Sequence, residues 1–165
     1  MRRTKVLASA FTLSALLFPT AGGAVTTTTT FPVTATVLKA CLVSANPLSF
    51  GSYDPTAATP LDASTTLSVL CTVGSSFTVG LNAGTGTGST VAARKMTNGA
   101  NTLNYALYQE AARTNNWGNT PGTDTPPATT APILPTSLTV YGRIPAGQNV
   151  AAGGYTDTVT VTVNY

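Results

Sequence analysis

The last eleven residues, YTDTVTVTVNY, put Tyr155, Val159, Val161, Val163 and Tyr165 on one side and Thr156, Thr158, Thr160, Thr162 and Asn164 on the other. A period of two belongs to a pleated strand, whose side chains leave opposite faces in turn, and not to a helix. A strand with one apolar face must bury that face against a second layer. Shorter runs repeat the pattern: Leu67, Val69, Cys71 and Val73 in TTLSVLCTV; Phe77, Val79 and Leu81 in SSFTVGLN; Leu103, Tyr105 and Leu107 in TLNYALYQ; Leu138 and Val140 in SLTVYG. Gly74, Gly84, Gly142 and Pro145 punctuate them, and 33 threonines among 165 residues favour pleated surfaces over helices. These features predict an antiparallel sandwich or barrel. YQEAARTNN, around Ala111, is the one stretch with the look of a helical turn. GNTPGTDTPPATTAP, from Gly118 to Pro132, reads as a long exposed loop.

The same composition narrows function. The chain has no His, two Cys and one Glu, so imidazole chemistry and ordinary zinc sites lack their parts. Asp54, Asp62, Glu110, Asp124 and Asp157 are scattered over different turns and strands, and no spacing nominates an acid–base pair. We expect no enzyme, no cofactor and no metal. AGTGTGST, Ala83 to Thr90, lacks the Gly-Lys-Ser/Thr ending of a phosphate loop. Of the 8 positive charges, Arg2, Arg3 and Lys5 stand in the first five positions, and the remainder balance the 5 acids. No basic stripe is left for nucleic acid.

Those three charges, the apolar stretch Val6 to Phe18 and the small residues Ala21-Gly22-Gly23-Ala24 form the pattern of a secretory signal, residues 1–24, with cleavage expected after Ala24. The apolar stretch is short for a span of roughly 20 residues, and no later stretch is long and apolar enough for a stable membrane span. About 140 residues remain, enough for one domain with one core. Export to an oxidising compartment makes a Cys41–Cys71 disulfide the default state of an even pair of cysteines. Its closure of a loop of about 30 residues is worth about 3–4 kcal/mol in the chain-entropy model.

Behind five consecutive threonines lies FPVTATVLKAC, in which Phe31, Val33, Ala35 and Val37 alternate with Pro32, Thr34, Thr36 and Leu38. A strand is expected, and Pro32, which has no N–H to donate, suits an edge or a strand end. Two readings stand: residues 31–37 are the first strand of the domain's own sandwich, or a strand lent to another molecule.

In order, the chain carries FPVTATVLKACLVSANPLSFGSYDP, TLSVLCTVGSSFTVGLNAG, LNYALYQEAARTNNWG, LTVYGRIPAGQNV and GGYTDTVTVTVNY. This series closely resembles the spore coat protein U domain family, whose members include pilin subunits of the archaic chaperone–usher pathway. The resemblance implies an immunoglobulin-like antiparallel β-sandwich that lacks one strand and is completed by donor-strand exchange, over residues 38–165. Residues 25–37 would be the donor segment, with Phe31, Val33, Ala35 and Val37 as its inserting face. The terminal strand, through Val159, Val161, Val163 and Tyr165, would border the groove and meet the periplasmic chaperone; ordinary core packing accounts for the same pattern. Cys41 and Cys71 match the family's paired cysteines.

The implied partners are neighbouring subunits in a homo-polymer, a periplasmic chaperone and an outer-membrane usher. The implied location is the cell surface, in a fibre for adhesion or biofilm formation. The competing reading is a monomeric secreted coat or carbohydrate-binding module, with Trp117, Tyr108 and Tyr141 as its ligand face. Trp117 is expected in the core or at its rim. Asp157 falls on the apolar side of the last strand and is expected as a satisfied turn or strand-start carboxylate, with Arg143 as a candidate partner.

Overall fold

The structure, a computed structural model, describes residues 22–165. The expected export signal, residues 1–24, lies outside the described residues save for its last three. The chain divides into two units, Met1–Ala35 and Thr36–Tyr165. In the described part of the first, residues 22–35 carry no secondary structure, and Phe31 and Val33 are exposed. No helix among the described residues is long and apolar enough to cross a membrane.

The second unit holds eight strands: β1 (Cys41–Ala45), β2 (Leu61–Cys71), β3 (Ser76–Leu81), β4 (Arg94–Asn98), β5 (Asn101–Tyr108), β6 (Thr129–Thr130), β7 (Thr136–Ile144) and β8 (Val161–Asn164). They form a five-stranded sheet ordered β1-β2-β7-β5-β4 and a three-stranded sheet ordered β6-β3-β8. Every pairing is antiparallel. The core between the sheets is built from the alternating residues: Leu67, Val69 and Cys71 of β2, Phe77, Val79 and Leu81 of β3, Leu103, Tyr105 and Leu107 of β5, and Val140 of β7. The fold is therefore the all-β antiparallel sandwich the sequence predicts. Trp117 fills the middle, almost fully buried, and its indole N–H donates to the Val79 carbonyl at 2.8 Å. That is the expected core position, and the hydrogen bond satisfies the one polar atom a buried indole carries.

Several expectations need correction. The strand predicted over residues 31–37 is not formed, since residues 22–40 carry none; an extended segment becomes a strand only in a hydrogen-bonded ladder. The terminal strand is shorter than its pattern, although the half-buried positions from Tyr155 to Val163 keep the expected face. Val73 lies beyond the end of β2 and is exposed. Around Ala111 there is a turn, not a helical one: the Glu110 carboxylate accepts from the Thr114 and Asn115 amides, and Arg113 takes a positive φ of 54°. The Gly118–Pro132 stretch is not a bare loop, because Thr129 and Thr130 pair with β3 and the Asp124 side chain accepts from the Thr120 amide. Apolar periodicity could not signal a segment held mainly by backbone and carboxylate hydrogen bonds.

Candidate functional site

β1 and β8 each pair on one side only, β1 with β2 and β8 with β3. They run antiparallel at the margins of the two sheets, and between them the sandwich is open. A cleft of about 390 Å³ enters the core there, with Leu67, Leu81, Leu107 and Val140 in its floor and Val159 and Val161 in one wall. The other wall is Ala45–Leu48.

Burial shows what is missing. Val43 shares the inward face of the five-stranded sheet with its cross-strand partner Val69. Yet Val43 is 43% exposed where Val69 is 1%. The same contrast holds across the other sheet: Val79 and Leu81 are buried, but their partners Val163 and Val161 are only half-buried. Apolar side chains on an inward face that stay wet lack a covering layer, and both strands that carry them, β1 and β8, have a free edge. Tyr165, past the last ladder pair, is exposed.

The cleft is held in shape from three sides. The Cys41–Cys71 disulfide, between directly opposed residues of β1 and β2, fixes one margin. At the bottom, Leu48 and Phe50 pack under β7 because position 142 is glycine: a Cβ there would stand 2.7 Å from the Phe50 ring. Phe50 meets Tyr105 edge-on at 6.1 Å.

On the β8 side the anchor is Asp157. Its carboxylate accepts from the Tyr105 hydroxyl at 2.6 Å, the Thr85 amide at 2.7 Å, the Thr85 hydroxyl at 2.8 Å and the Thr158 amide at 2.7 Å. It sits against Gly84, whose φ of 81° and missing side chain leave the space. Burial pushes the Asp157 carboxyl up, but the bonds from Tyr105, Thr85 and Thr158 outweigh it and hold it below the usual aspartate range. Burial, reinforced by Asp157, pushes the Tyr105 phenol well up. Asp157 is thus the satisfied carboxylate expected, but Arg143 is not its partner. Arg143 lies on the outer face, where it makes a two-pronged pair with Asp62, its cross-strand neighbour, at 2.7 and 2.9 Å.

One structural residue escaped the sequence reading. Arg94 is fully buried and donates to four backbone carbonyls: Asn82 at 2.8 Å, Val91 at 2.8 Å, Leu81 at 3.0 Å and Trp117 at 2.7 Å. Burial pulls its pKa down, opposed by Tyr105, Asp157 and Asp124. Beside Lys95 in the sequence it reads as one of two surface cations, and nothing in the pattern marks it as inward.

The alternative ligand face is not assembled. Tyr108 and Tyr141 are cross-strand partners on the outer face, with Arg113 over the Tyr141 ring at 5.6 Å, whereas Trp117 is on the inside. The carboxylates are committed locally, Asp54 to Thr56 and Glu110 to Thr114.

Comparison with known proteins agrees with this architecture. The model of the Spore Coat Protein U domain matches residues 27–162. "Protein U" of Myxococcus xanthus is 39% identical over 129 residues, which are 72% of this chain and 71% of the relative. Among solved structures, the chain resembles one chain of the CsuC–CsuE chaperone–tip adhesion subunit pre-assembly complex from archaic chaperone-usher Csu pili of Acinetobacter baumannii. The TM-score is 0.56 at 23% identity, covering 79% of this chain and 41% of that one. That likeness is one of fold, and this chain spans less than half the length of that neighbour.

Proposed function

This chain belongs to the Spore Coat Protein U domain family, and from that premise we propose that it is a pilin-like structural subunit that polymerises by donor-strand complementation. Residues 1–24 direct export and are removed. Residues 25–37 form the donor segment, and residues 38–165 form the sandwich that accepts another copy's segment. The observation that carries this reading is the open margin between β1 and β8, where Val43, Val159, Val161 and Val163 stay partly wet on an inward face. Phe31, Val33 and Val37 are themselves exposed, outside any strand. Chain and cleft each lack what the other offers: an apolar alternating face, and a slot with free backbone edges.

Adding a strand there forms a backbone ladder with β8, and the side chains alternating toward the floor set the register. Burying each of Phe31, Val33 and Val37 contributes on the order of 1.5–3 kcal/mol, with Ala35 filling a shallower place. The free edges and wet core also give a periplasmic chaperone something to cap before assembly, and an outer-membrane usher is the exit that such a chain requires. The product is a surface fibre serving adhesion or biofilm formation. Deleting residues 25–37 tests the reading. Exported wild-type protein should run on gels as ladders that resist detergent and collapse on boiling, whereas the truncated chain should give monomer only. Ladders from the truncated chain would refute it.

A further inference from the structure

Strand directions give the sandwich two unlike ends. At one end lie the disulfide, the β2–β3 turn and the chain after β6. The Gly74 amide donates to the Ala131 carbonyl at 3.0 Å and the Ala131 amide to the Ser75 carbonyl at 2.8 Å, so the turn and that segment lie side by side. There Val73, Ile133 and Leu134 are 62%, 81% and 73% exposed. Ile133 and Leu134 stand in a bend between Pro132 and Pro135. Two prolines restrict the bend before any contact, so presenting its side chains to a partner costs less ordering entropy. At the opposite end, where β1 and β7 finish, a second cavity of about 590 Å³ opens among Leu48, Phe50, Tyr53, Met96, Val150 and Tyr155. Leu48, Phe50, Met96 and Tyr155 also line the cleft, so the two spaces share a wall.

The chain leaves the body at the first end. Thr72 accepts from the Ala40 amide at 3.0 Å and donates through its hydroxyl to the Leu38 carbonyl at 3.2 Å. Only Leu38, Lys39 and Ala40 separate Val37 from Cys41, a reach of roughly 14 Å at most over four Cα–Cα steps. A copy that takes up residues 31–37 is therefore held against this end. A donor parallel to β8 would bring two disulfide ends together, where the acceptor's own segment must depart. Antiparallel to β8, it places the donor's disulfide end over the acceptor's far end and leaves the acceptor's own segment free for the next copy. Head-to-tail contacts of this kind join two different patches and propagate without closing.

Resting on the donor-strand reading, we infer that Ile133 and Leu134, with Val73 beside them, form a knob that seats in the far-end cavity of the next copy of this chain. This contact clamps the junction that the donor strand opens.

The test uses the full chain, exported and polymerised, carrying Leu134→Cys together with Val150→Cys. After mild oxidation the ladders should survive boiling, collapse on reduction, and yield a cross-linked peptide joining positions 134 and 150. Separately, Ile133→Ser with Leu134→Ser should speed subunit release from the polymer in denaturant at least tenfold while unheated ladders still form. Ladders without the 134–150 link, links between two 134 positions, or an unchanged release rate each overturn the knob and leave the donor-strand reading standing. If the unsubstituted chain makes no ladder, both fall.

Discussion

Replacing Val33 or Val37 by Asp tests the proposed donor role of residues 31–37 separately from the fold of the domain. Both residues are more than four-fifths exposed in the subunit alone, at 83% and 81%. The free subunit should therefore be nearly indifferent to the change, within about 0.5 kcal/mol. In the inserted state each substitution forfeits about 1.5–3 kcal/mol of burial. It also leaves a carboxylate facing Leu67, Leu81 and Val140, floor residues without a cation, at a further cost of a few kcal/mol. Together these exceed about 4 kcal/mol, a loss of three decades or more in the affinity of one copy for the next. Thr34→Asp is the control, because position 34 alternates to the opposite face and should cost little. The assay pairs unheated gel ladders with thermal melts of the monomer. Val33→Asp should abolish the ladder and leave the melt unchanged, and Thr34→Asp should keep both. Ladders from Val33→Asp would refute insertion, and an unfolded Val33→Asp monomer would mean that the segment belongs to the domain's own core.

Three further outcomes follow from the sandwich itself. Reducing Cys41–Cys71, which are 30 residues apart, should destabilise the monomer by about 3–4 kcal/mol; a denaturant melt with and without reductant reads it, and free-thiol counting of native protein should find none. Arg94→Leu leaves carbonyls of Leu81, Asn82, Val91 and Trp117 without their donor and should cost about 3–5 kcal/mol, with Arg94→Lys recovering only part of it, as measured by urea unfolding. Because the folded-state pKa of Asp157 is depressed, its contribution is present above the ordinary aspartate pKa and is lost as pH falls through the folded value. Tyr105→Phe, which removes one of the bonds that depress it, should flatten the loss of stability as pH falls below the ordinary aspartate pKa of about 3.9, as read by thermal melts taken downward from neutral pH.

The alternating runs show how much was legible. Leu67, Val69, Phe77, Val79, Leu81, Leu103, Tyr105, Leu107 and Val140 are all in the core, because a two-residue period on a pleated backbone has only one way to bury its apolar set. The cysteine pair was legible from count and compartment. β1 was not: Leu42 and Val43 are adjacent in CLVSA, and at a margin with no cover even the inward residue stays wet. Arg94 was hidden because charge normally means surface, and only four backbone carbonyls converging from β3, Val91 and Trp117 make its burial tolerable. The turn at Glu110 and the Asp124 loop were hidden for a related reason, since a carboxylate capping backbone amides leaves no periodic trace. The groove was implied by resemblance and not by pattern, because Val159, Val161 and Val163 would alternate in the same way in a closed sandwich.

A sandwich with a missing strand has to keep its slot from collapsing, since wet apolar walls gain by closing on each other. Three connections oppose that here, and they sit on different margins. The disulfide fixes β1 to β2 at one end of the slot. Leu48 and Phe50, admitted by Gly142, prop the floor at the other. Asp157 ties the lead-in to β8 to Tyr105 of the opposite sheet and to Thr85. Tyr105 is thereby packed against Phe50 and bonded to Asp157 at once, so the floor and the β8 wall share one side chain. Asp157 and Tyr105 put a fixed polar point beside the apolar floor of Leu67, Leu81, Leu107 and Val140, and Val159 and Val161 line the wall next to it. On the proposed donor-strand reading, a slot built this way would offer an incoming strand an apolar track beside a fixed polar point, so that the placement of residues 31–37 would be a matter of register as well as of hydrophobic area.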